Sequence, residues 1–84
     1  MLYIFNMKYE DFTKIVYDKI KSYPKYWRKG QSVFNCIDTT FGVARDVQFK
    51  DNIDCFYNDA NINNFMKASY KRLVCLSGNP DNIF

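Results

Sequence analysis

Histidine is absent from the 84 residues. That gap alone removes serine–histidine triads, cysteine–histidine dyads, classical zinc fingers and the HExxH metalloprotease motif. Any general base then has to be an aspartate, a glutamate or a lysine, and the single glutamate, Glu10, lies near the start of a predicted helix. Glycine and proline are scarce, at three and two, which excludes collagen, flexible linkers and low-complexity arrays. Neither GxxxxGK(S/T) nor GxGxxG is present, so the phosphate-cradling loops those motifs build are excluded as well. An enzyme is therefore not expected.

Cysteine is sparse and odd in number: Cys36, Cys55 and Cys75, with no CxxC pair. Reduced, partly buried thiols are the expectation, with one disulfide and a spare thiol as the alternative. Without histidine or paired cysteines, no metal site and no cofactor are expected. Asp51, Asp54 and Asp59 lie close together, but their spacing fails the DxDxDG calcium loop and reads as turn and cap aspartates. There is no long hydrophobic run either. The apolar start, Met1–Phe5, is shorter than a signal-peptide core and is soon followed by Glu10 and Asp11. A cytosolic location is expected, with no membrane partner. Met7 is a second candidate start, which would make residues 1–6 a leader.

Aromatic rings are abundant. Eight Phe, seven Tyr and one Trp make up 19% of the chain. A domain of this size buries only about 60–65% of the surface its unfolded chain exposes. Rings that each bury about 150–250 Å² supply the missing apolar area. Tyrosine hydroxyls need partners or water, so some of these rings are expected at the surface or in a homo-oligomer interface. Net charge is only +3, from 12 basic and 9 acidic residues, too little to assign a nucleic-acid binder by itself.

The hydrophobic periodicity predicts one all-α domain over residues 1–84. It is a small bundle of three longer helices and one short helix, with residues 77–84 a loose tail. Tyr9, Phe12, Val16 and Ile20 mark a first helix over Lys8–Ser22, with Asn6 its candidate N-cap and Pro24 ending it. Val33, Phe34, Ile37 and Phe41 mark a second over Lys29–Phe41, closed by Gly42. Gly30 sits where a missing side chain would admit a close helix. Val43–Phe49 reads as a short helix, and the competing reading is a strand, because Val47, Phe49 and Ile53 alternate with polar residues. Asn58 or Asp59 caps a last helix carrying Ile62, Phe65, Met66, Ser69, Tyr70 and Leu73, ending near Val74–Cys75.

Two polar features are candidate binding surface. Lys19, Lys21, Lys25, Arg28 and Lys29 are interleaved with Tyr23, Tyr26 and Trp27, a mixture that can hold phosphates and stack on bases; the plain alternative is a solvated helix end. Arg28, Gln31 and Asn35 recur at three- and four-residue spacing, followed by Asp38 or Thr39, and align planar donors on one stripe of the second helix. Any surface helix also carries a polar stripe. Arg45 and Gln48 would join it if the third helix folds back.

Trp27-Arg28-Lys29-Gly30-Gln31-Ser32-Val33-Phe34-Asn35 resembles the WRxGQxxFN stretch of a family of small phage and prophage proteins. Phe41-Gly42-Val43-Ala44-Arg45, followed by Asp54-Cys55-Phe56-Tyr57-Asn58-Asp59, resembles the DxFYxD turn that precedes a final helix in the same family. The resemblance spans about Lys8–Arg72. Cys55 departs from it, standing where many of those sequences carry proline. It implies a phage or mobile-element origin and a small helical fold. Compact, non-enzymatic phage proteins often act by stoichiometric binding, so the expectation by analogy of kind is counter-defence inhibition of a host protein complex, or sequestration of its nucleotide signal, in the host cytoplasm. The candidate contact residues are Trp27, Arg28, Lys29, Gln31, Asn35 and Tyr57. A nucleic-acid-binding module and a minor virion or assembly component are the alternatives.

Overall fold

The structure is a computed structural model and describes residues 7–76. The expected leader (1–6), the Asn6 cap and the tail (77–84) lie outside the described residues. Four helices follow one another: α1 (Tyr9–Ile20), α2 (Lys29–Phe41), α3 (Ala44–Phe49) and α4 (Ile62–Leu76). No strand occurs among the described residues. The all-α bundle of three longer helices and one short one is the observed architecture, and the strand alternative for Val43–Phe49 is not adopted.

Each boundary has a local cause. α1 starts after Lys8, whose extended backbone stands at the N-cap without a side-chain cap bond. Its first turn is held instead by the Phe12 N–H donating to Lys8 O at 3.0 Å, and Glu10 and Asp11 complement the exposed peptide dipoles there. α1 ends at Ile20, short of the expected Ser22, because Ser22 and Tyr23 close three-residue turns onto Lys19 and Ile20. Gly42 ends α2 in the left-handed region, at φ 75° and ψ 15°, with its N–H shared between Ile37 O and Asp38 O. A residue with a Cβ pays a strain penalty at that φ. A single 3-10 turn, Asp59–Asn61, leads into α4, and the Asn58 side chain caps it by accepting the Ala60 N–H at 3.1 Å. α4 runs to Leu76, one turn fraction beyond its expected end.

The core draws on all four helices. Phe12 and Val16 come from α1; Val33, Phe34, Cys36 and Ile37 from α2; Ala44 and Val47 from α3; Phe65, Met66, Tyr70, Leu73 and Val74 from α4. The rings divide into two groups. Phe12 packs on Phe41 and Tyr70 at centroid distances of 5.2 and 5.7 Å, with Tyr9 against Tyr70 at 5.4 Å. The second group is a row: Phe65 against Phe34 at 5.5 Å, Phe34 against Phe56 at 5.5 Å, and Phe56 against Tyr57 at 4.8 Å. It runs from the interior of α4 across α2 to the surface loop. Cys36 and Cys55 are free and buried.

Candidate functional site

The α3–α4 connection, residues 50–61, carries the DxFYxD segment and is folded by its own aspartates. Asp54 accepts the backbone N–H groups of Phe56 and Tyr57, both at 3.1 Å, and the Gln48 side-chain amide at 2.8 Å. Asn61 donates to Asp54 O at 2.9 Å. Asp59 reaches across to α2, where it accepts the Gly30 N–H at 3.0 Å, one of the unpaired donors at a helix start. Arg28 donates to Phe56 O and lies 3.9 Å from Asp59. The start of α2 and the 54–59 loop are thereby clamped together.

Gly30 explains how close they come. A Cβ built on it would lie 2.0 Å from Cys55 O and 2.6 Å from Asp59 Oδ1. The close neighbour is thus this loop and not another helix, which corrects the expectation for Gly30: the contact is non-local and leaves no periodic trace. Cys55 sits inside the clamp, its thiol donating to Gly30 O at 3.3 Å. Burial pushes that thiol up to about 12, with the charges of Asp54 and Asp59 adding to the effect. It stays protonated at neutral pH and is not a nucleophile.

The expected contact residues take different places. Arg28 is committed to the clamp. Lys29 turns to α1 and lies 4.9 Å above the Tyr17 ring. Trp27 is half-buried, edge-on to Tyr23 at 5.6 Å and to Tyr26 at 6.5 Å. Gln31 and Asn35 are half-buried on one face of α2, and no hydrogen bond within the described residues engages either side-chain amide. Further along the same face, Asp38 pairs with Arg45 at 3.9 Å. α3 therefore folds back on α2, placing Arg45 beside the stripe, while Gln48 turns to Asp54 in the loop.

Tyr57 belongs to a separate feature. With Phe34, Arg45, Gln48, Phe49 and Phe56 it lines a shallow groove of about 270 Å³. Phe49 is 76% exposed and Tyr57 75%. Sequence reasoning missed Phe49, and the signal was available: once Val43, Ala44 and Val47 point inward on a six-residue helix, Phe49 falls on its outer side. A second, larger cleft of about 530 Å³ lies between α3 and α4, floored by Val43, Ile53 and Ala68. Asp46, Asp51, Lys71 and Arg72 line it too, and Arg72 grips Asp51 through two contacts of 2.8 Å. The three aspartates of the rejected calcium loop thus serve Arg72, the 54–59 turn and Gly30 respectively.

No helix among the described residues is long and apolar enough to cross a membrane. In comparisons with known proteins, no family model, no curated protein and no solved structure matches the chain.

Proposed function

We propose that the protein acts by binding, without catalysis, and that its partner is a host protein engaged in the host cytoplasm as part of a phage counter-defence. The observation that carries this reading is the groove with two large rings left in water. In a chain this small, Phe49 and Tyr57 stand more than two-thirds exposed beside Arg45. Exposed apolar surface rimmed by polar groups marks interaction sites, and Tyr and Arg are among the residue types that dominate binding energy. Gln31 and Asn35, whose amides have no internal bond, extend the surface along α2. The phage and counter-defence part rests on the two segments that resemble small phage proteins.

Size and charge favour a protein over a nucleotide. Small-molecule pockets span about 300–1,000 Å³, and the groove, at about 270 Å³, stands at the bottom of that range. The larger cleft has the volume, but its lining sets Asp46 and Asp51 against Lys71 and Arg72, with Arg72 already held by Asp51, so it offers no excess of cations to a phosphate. The nucleic-acid alternative loses part of its basic stretch. Arg28 is held by the clamp, and Lys29 covers Tyr17. For an enzyme, the protonated Cys55 offers no thiolate.

Native mass spectrometry of the protein recovered from infected host cells tests this. The expected result is one host protein held at fixed stoichiometry and lost from the Phe49→Ala/Tyr57→Ala variant. Retention of a nucleotide in place of a protein, or turnover of any substrate by the isolated chain, overturns the reading.

A further inference from the structure

Every carboxylate near the groove is already engaged within the fold. Asp54 accepts three hydrogen bonds, and Asp59 faces Gly30 and Arg28. Arg45 differs. Its side chain is 77% exposed, and its ion partner, Asp38, stands 3.9 Å away. A carboxylate in direct contact with a guanidinium sits at about 2.7–2.9 Å and forms paired, parallel bonds, so the Asp38 contact leaves most of the donor capacity of Arg45 unused. The groove thus combines an aromatic floor (Phe34 and Phe56), two exposed rings and one under-used cation. Its volume corresponds to about nine waters at roughly 30 Å³ each, room for one large side chain.

Resting on the binding reading above, we propose that the groove receives an acidic segment of the partner protein. One large apolar side chain of that segment seats against Phe49 and Tyr57, and a neighbouring Asp or Glu pairs with Arg45. Complementary charge at such a site sets partner choice and encounter rate, while the ring supplies the buried area.

The probes are three blocked pentapeptides, titrated into the full-length protein while backbone amide shifts are followed by NMR. The first has a central phenylalanine flanked by two acidic residues on each side. The second replaces the acids by lysines, and the third replaces the phenylalanine by alanine. The expected result is that only the first moves the amides of Gln48, Phe49 and Tyr57. Arg45→Glu should weaken it at least tenfold and let the lysine peptide bind. Arg45 is mostly in water, and unchanged helicity of the variant by circular dichroism confirms folding. Equal shifts from acidic and basic peptides, shifts centred away from the groove, or no shift at millimolar peptide overturn the proposal. The binding reading fails separately. If the host protein is lost from Phe49→Ala/Tyr57→Ala but retained by Arg45→Glu, stoichiometric binding stands and the acidic-segment proposal falls.

Discussion

Replacing Gly30 by alanine sets two opposed effects against each other at one position. Alanine is favoured over glycine by about 0.5–1 kcal/mol in a helix interior and by less in the first turn, where Gly30 stands, so helix propensity alone predicts a slightly more stable protein. The clamp predicts the reverse. The new Cβ would lie 2.0 Å from the Cys55 carbonyl oxygen, a backbone atom that cannot swing aside. Forcing a methyl group into packed structure costs about 1–3 kcal/mol. The 3.0 Å bond from Gly30 N–H to Asp59 is lost as the loop retreats. Bonds to charged groups contribute about 1.5–3 kcal/mol, and because Asp59 is half in water only the lower end applies. The net expectation is a loss of about 2–3 kcal/mol. At about 4–8 °C per kcal/mol for a domain this small, thermal unfolding followed by circular dichroism should shift down by roughly 8–24 °C. Gly42→Ala is the control: nothing lies within 4 Å of its Cβ, so only the strain at φ 75° remains, about 1 kcal/mol. An unchanged or raised midpoint for Gly30→Ala would refute the close approach on which the clamp is built.

Other consequences can be measured as directly. Phe49→Ala and Tyr57→Ala should change stability by less than about 0.5 kcal/mol, since both rings are in water, whereas Phe34→Ala should cost about 3–5 kcal/mol in urea denaturation; a large cost at Phe49 would mean that it packs. Arg28→Glu should lower stability by about 1 kcal/mol through the loss of its bond to Phe56 O, while Lys29→Glu, away from the clamp, should cost less. Equal effects of these two changes would contradict their different placement. Cys55 has a folded pKa raised from 9.0 to about 12, and a group so raised stabilises fully below its unfolded value. Stability should therefore fall as pH rises from about 9 to 12. Tyr9, also pushed up by burial and by Tyr17, acts in the same direction from 10.0 upward. A Cys55→Ala variant should have a flatter alkaline limb in pH-dependent urea midpoints, and an identical limb would sink the assignment. At pH 8 Cys36 and Cys55 in a Cys75→Ser background should react with a disulfide reagent far more slowly in the native protein than in denaturant, and equal rates would show that they are accessible.

The helices were legible because their signals are local. Val33, Phe34 and Ile37 repeat at helical spacing on α2, and Gly42 has no neighbour that could override its left-handed preference. Asn58 and Asp59 were both recognisable as cap formers, but only the fold decides between them: Asn58 caps the turn beside it, and Asp59 turns to Gly30, 29 residues earlier. The candidate site was less legible for the same reason. Gln31 and Asn35 share a face of α2 as their spacing requires, but Arg28 stands at the N-cap outside the helix and is spent on a carbonyl of a distant loop, which no spacing rule encodes. Lys29 looked like part of one basic patch because neighbours in sequence were counted together. On a helix they point apart, and Lys29 meets Tyr17. The groove joins α2, α3 and the loop, so only the tertiary arrangement could bring Phe49 to Tyr57.

The row of rings from Phe65 through Phe34 and Phe56 to Tyr57 constrains how this surface can change over generations. Phe34 and Phe56 line the groove and also pack into the fold, so a change that reshapes the floor unsettles the packing beneath it. If the groove binds as proposed, heritable variation in recognition is channelled outward to Arg45, Phe49 and Tyr57, whose side chains stand mostly in solvent.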